Sequence, residues 1–171
     1  MEVVEALLEL RADIRAKTKD GLSPFCIAAG NGRMDVAKVL LRRGASARER
    51  APDGTTALHC AACWGHIDMV DFLLDLGADP NALGTGGQTP LHSAAILAVN
   101  YHALKERLQR AGADPSLRDD RGQTADALFS ARLVDARPAS LDSSSARNMM
   151  GAAEFTSRNA TLPIRGALKS R

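Results

Sequence analysis

The chain repeats itself at an interval near 33 residues, and that period limits its possible architectures more than any single motif does. The central copy runs from Gly54 to Asp79, GTTALHCAACWGHIDMVDFLLDLGAD. Its opening glycine has counterparts at Gly21, Gly87 and Gly122, separated by 33, 33 and 35 residues, and its closing Gly77 has counterparts at Gly44 and Gly112. A unit of this length buries its apolar face against the next copy rather than around a core of its own, so the period predicts an array.

Each repeated position has a physical role. The leading glycine permits positive φ in a tight turn. Two residues later, Ser23, Thr56 or Thr89 is placed to cap a helix, and Pro24 and Pro90 fit a first helical position, where a missing N–H is harmless. The alanine pairs Ala28-Ala29, Ala61-Ala62 and Ala94-Ala95 allow close helix approach. A second helix follows, with apolar residues at Val36, Val39, Leu40 and Leu41 in one copy and at Met69, Val70, Leu73 and Leu74 in the next. Gly44, Gly77 and Gly112 lie just past these helices, where a left-handed cap favours glycine.

The cores SPFCIAA (Ser23 to Ala29), TALHCAA (Thr56 to Ala62) and TPLHSAA (Thr89 to Ala95) resemble the T-P-L-H-x-A motif of the ankyrin repeat. The resemblance implies an all-α solenoid of stacked helix-turn-helix units, with turn tips along one edge and a concave face that binds partner proteins. The expected organisation is a partial unit at 1–17, repeats at 18–50, 51–83 and 84–118, a degenerate cap at 119–136 and a weakly ordered basic tail at 137–171. The first of these supplies only a second helix, through Val3, Val4, Leu7 and Leu8, with Arg11 in place of the closing glycine. It reads as the truncated edge of a longer protein.

The resemblance also implies that His59 and His92 tie neighbouring turns together by hydrogen bonds. Cys26 replaces that histidine in the unit 18–50, which predicts a weaker stack there. In the unit 84–118 two extra residues are expected around Leu97 to His102, between the helices. There Ala98-Val99 replaces the usual Gly-His, and Tyr101 and His102 are read as a variable loop. Lys105 and Gln109 stand where the central unit has Val70 and Leu74, and Asp126 stands where Leu91 does. Both changes suit the wetter end of a stack.

Candidate binding residues come from the family's groove positions. Cys63 and Trp64 follow the central alanine pair, and Asn31, Ile96 and Leu97 match them on either side. Trp64, the single tryptophan, is of the type enriched at interface hot spots. The turn tips add Asp20, Leu22, Asp53, Thr55, Gln88 and Arg121, whose mixed charge suggests recognition by shape and apolar contact.

One alternative chemistry is visible. His59, Cys60, Cys63 and His66 form HCxxCxxH, a pattern that can hold zinc. Both histidines are already explained by ankyrin positions, so no metal and no cofactor is expected. The chain lacks GxxxxGK[ST], GxSxG and HExxH, and a non-enzyme follows.

Composition excludes other classes. A net charge of +2 over 171 residues gives no reason to expect nucleic acid, and no apolar run approaches the length of a membrane span. Three cysteines without framework spacing suit a reducing compartment, the cytoplasm or the nucleus. The tail carries seven Lys/Arg against three Asp/Glu from Arg132 onward. The reading is a monomeric adaptor or interaction module. The alternative is a non-catalytic targeting portion of a larger enzyme that lies upstream of Met1.

Overall fold

A computed structural model describes residues 13–97 and 99–134. The tail and most of the partial first unit lie outside the described residues. Within them are seven α-helices and no strand. They pair as α1 (Pro24–Gly30) with α2 (Met34–Arg42), α3 (Ala57–Trp64) with α4 (Ile67–Asp75), and α5 (Pro90–Leu97) with α6 (Tyr101–Arg110), followed by α7 (Ala125–Val134). First helices pack on first helices, α1 on α3 on α5 on α7, and each of the first three also packs on its own second helix.

Four equivalent turns precede the first helices. In each, a backbone N–H reaches the carbonyl four residues on: Thr18 to Leu22, Ala51 to Thr55, Gly84 to Gln88 and Asp119 to Gln123, at 2.8–3.0 Å. The leading glycines at 21, 54, 87 and 122 all have positive φ, as a turn this tight requires. Ser23 caps α1 by accepting the Cys26 N–H, with Pro24 at the first helical position. The second helices end alike, with the N–H of Ala45, Ala78 and Ala113 reaching back to Leu40, Leu73 and Leu108, a Schellman closure.

The core follows from this stacking. Leu58, Met69, Leu73, Leu91, Leu104 and Leu108 are all essentially inaccessible, and burial of each such side chain is worth about 1.5–3 kcal/mol. The alanine pairs are buried as well, with at most 5% exposure. They lie on first helices that pack on one another, so larger side chains there would overpack the joint.

The two inserted residues of the third unit are distributed differently from the sequence expectation. His66 and Asn100 each stand at the N-cap of their second helix and are thus equivalent, 34 apart; Asn100 donates to the Gly65 carbonyl at 2.9 Å and His66 bonds to the Gly30 carbonyl at 3.0 Å. Leu73 and Leu108 are 35 apart and close their helices with the same backbone bond. One extra residue therefore precedes Asn100, and the other is absorbed into α6, which has ten residues where α4 has nine. Tyr101 and His102 consequently begin a helix and do not form a loop. Tyr101 is buried, donates from its hydroxyl to Asp126 Oδ1 at 2.7 Å, and stacks on Phe129 at 4.3 Å between ring centroids.

Candidate protein-binding site

Trp64 closes α3, and Gly65 after it adopts φ 79°. A side chain at Gly65 would put its Cβ 2.6 Å from Asn100 Oδ1, so the glycine admits the third unit's capping amide. The Trp64 indole lies over the neighbouring unit, its Cδ1 3.7 Å from where a Cβ on Gly30 would stand. Its remaining surface faces solvent, and the residue is 42% exposed. Ile96 and Leu97 end α5, the next first helix, and are half-buried. Asn31 is exposed at the end of α1, where its amide donates to the Ile27 carbonyl at 2.8 Å.

Cys63 does not share this surface. A helix turns about 100° per residue, and that rotation carries Cys63 inward to 1% exposure while Trp64 faces outward. Burial pushes its thiol up to about 11 and raises the Cys26 and Cys60 thiols too. These are packing residues and weak nucleophiles.

The turn tips divide in the same way. Leu22 and Thr55 are buried, whereas Asp20, Asp53 and Arg121 are exposed. Asp53 is committed to its neighbours. Its Oδ1 accepts the Thr55 N–H at 2.9 Å, and its Oδ2 accepts the hydroxyls of Thr55 and of Thr85 in the next tip. Desolvation opposes ionisation of that carboxyl, but the bonds from Thr85 and Thr55 prevail and hold it below its ordinary range. Gln88 is half-buried and gives its backbone carbonyl to His59. Asp53, Thr55 and Gln88 thus fasten one unit to the next.

The histidines of the HCxxCxxH stretch are similarly engaged. His59 Nδ1 accepts the Thr56 N–H at 3.2 Å and contacts the Thr56 hydroxyl at 2.8 Å, so Nε2 is the donor to the Gln88 carbonyl at 3.0 Å. His66 faces the Gly30 carbonyl. Among the described residues no group of three His, Cys, Asp or Glu side chains is placed to hold a metal ion.

Charge on the outer face was not apparent from the turn tips alone. The unit 51–83 contains five aspartates and no Lys or Arg, while the unit 18–50 contains seven Lys/Arg and three Asp/Glu. Lys38 on α2, Asp71 on α4 and Arg107 on α6 alternate in sign from unit to unit; Arg107 and Asp71 form an ion pair of 2.5 Å, and the Lys38 ammonium lies over the Phe72 ring at 5.8 Å from its centroid. Counting charge per 33-residue unit would have revealed the alternation.

An extended stack of helix pairs with capped joints and an exposed aromatic belongs to the class of repeat proteins that act by recognition. The family model described as Ankyrin repeats (3 copies) matches residues 1–84, and that described as Ankyrin repeat matches residues 86–120. The chain belongs to the ankyrin repeat family, whose members are generally protein–protein interaction modules. No curated protein matches its sequence. None of the described helices is long and apolar enough to cross a membrane.

Proposed function

We propose that the chain is a non-catalytic adaptor of the cytoplasm or nucleus, acting as a monomer and binding a partner protein through the surface formed by Trp64, Ile96, Leu97 and Asn31. Asp20 and Arg121 at the turn tips supply polar contacts at its rim. The observation that carries this reading is the position of Trp64. Its indole is held by one edge against Gly30 and by its backbone at a capped helix end, yet it leaves a large aromatic surface in water. A rigid, half-exposed tryptophan loses little entropy on binding and offers a large apolar area to a partner.

The test is affinity capture from cytosolic extract with the full chain and with a Trp64→Arg/Leu97→Arg variant, both shown helical by circular dichroism. A protein retained by the unaltered chain and lost by the variant, then confirmed by direct titration with the purified partner, is the expected result. Equal retention by both would refute the site.

A further inference from the structure

The joints between units are not chemically alike. At the joint between 51–83 and 84–118, His59 joins three groups: its Nδ1 takes the Thr56 N–H and contacts the Thr56 hydroxyl, and its Nε2 reaches the Gln88 carbonyl. His92 repeats this pattern with Thr89 and the Gln123 carbonyl one joint further on. At the joint between 18–50 and 51–83 the equivalent side chain is Cys26, which has no ring to span the gap. Only the later joints therefore depend on an imidazole nitrogen remaining an acceptor.

We propose that His59 is an acid-operated latch: a proton taken up at Nδ1 converts the acceptor of the Thr56 N–H into a donor, and so opens the joint between the second and third units while the first joint stays closed. The proton comes from water, and no other bond is made or broken. With Nδ1 protonated, two donors face each other at the helix cap, an arrangement a buried site does not tolerate. The ring must then turn or leave, and its bond to Gln88 is lost with it.

The surroundings set the direction of the response. Burial holds the His59 imidazole below its ordinary 6.5, against the favourable pull of the Gln88 and Ala82 carbonyls. Of the charged groups acting on the ring, Arg50 lowers the value further and Asp53 raises it. The helices packed on α3 carry Cys26 (α1), His92 (α5), and Asp68, Asp71 and Asp75 (α4) as titratable groups. In the unfolded chain His59 takes a proton near 6.5, and in the folded chain only at lower pH. Its contribution to stability is therefore complete above 6.5 and is lost as pH falls toward the folded value.

Amide hydrogen exchange of the full chain, corrected for intrinsic rates, tests this at about pH 7.5 and about pH 5, either side of the ordinary histidine value. In the unaltered chain, protection across 56–64 and 84–88, a window that leaves out the separate His92 cap, should fall about tenfold relative to 23–30 on acidification, the loss of roughly one buried hydrogen bond. His59→Gln, whose amide can accept from the Thr56 N–H without titrating, should abolish that difference. Equal loss in both chains, loss extending over 23–30, or no loss would overturn the latch. If the variant does not fold, nitrogen NMR of the unaltered His59 ring decides: a proton on Nε2 at neutral pH, and titration coincident with the loss of protection, support the latch. Any other tautomer or order of events refutes it. Trp64 and Leu97 belong to the two units this joint connects, so its opening would alter the surface proposed above, but the exchange readout needs no partner.

Discussion

At the scale of single residues, the difference between joints reduces to two side chains. The ring of His59 lies against Gly84, where a Cβ would stand only 3.0 Å from Nε2. At the equivalent positions of the first joint stand Cys26 and the buried Ala51. Histidine with glycine and cysteine with alanine fill this gap at the first two joints, whereas at the third His92 occurs with Asp119 at the same position. The double variant Cys26→His/Ala51→Gly should therefore show favourable coupling of about 1 kcal/mol in a double-mutant cycle of denaturant unfolding. Strictly additive effects would mean that the ring finds no carbonyl at Thr55. That Cys26 stands where the later units have the ring was legible from the motif alone. Ala51 was not, because it lies 25 residues away and is ordinary in every local respect. Cys63 failed as a surface residue for a different reason: adjacency in sequence on a helix does not mean a shared face.

At the scale of elements, α6 and α7 show how the stack is closed. Lys105 and Asp126 replace apolar residues of the pattern and read in sequence as separate signs of decay. In three dimensions they are partners, Lys105 Nζ lying 2.7 Å from Asp126 Oδ1, with Tyr101 on the same oxygen. The ion pair was hidden because its members are 21 residues apart and the insertion had shifted the register between them. Tyr101→Phe keeps the stack on Phe129 and removes the hydroxyl. It should destabilise α7 by about 1 kcal/mol, visible as faster amide exchange over 125–134 with α3 unchanged. The Lys105 ammonium holds the Asp126 carboxyl below its ordinary 3.8, against partial desolvation and with help from Tyr101. That contribution is present above 3.8 and lost as the pH falls through the lower folded value. Half-exposure of the aspartate side chain keeps it small. The helices of the first two units, with their closing turns, were legible, since each depends on residues within one unit; the start of α6 at Tyr101 was not.

At the scale of the whole molecule, the sequence period dictates contacts of one kind only, between each unit and the next. The side-chain hydrogen bonds between units join residues 21 to 36 apart, and the alternating charges on α2, α4 and α6 obey the same rule. Asp71→Lys removes the ion pair with Arg107 and sets two positive charges against each other. It should lower stability by up to about 1 kcal/mol at low salt, and the difference from the unaltered chain should shrink in 1 M salt, where the screening length is only about 3 Å. An effect independent of salt would assign the loss to packing instead. This alternation escaped a reading by motif because the family pattern leaves the outer positions free, and only the comparison of whole units exposes it. The same nearest-neighbour wiring has a mechanical consequence. Tension applied to the two ends of the stack passes through every joint in series, like load through the links of a chain, and the joint at Cys26 lacks the turn-to-turn imidazole of the later joints but is clasped by His66 on the Gly30 carbonyl. Stretched from its ends, the stack has no joint that the load can bypass, so it bears only what its weakest joint bears.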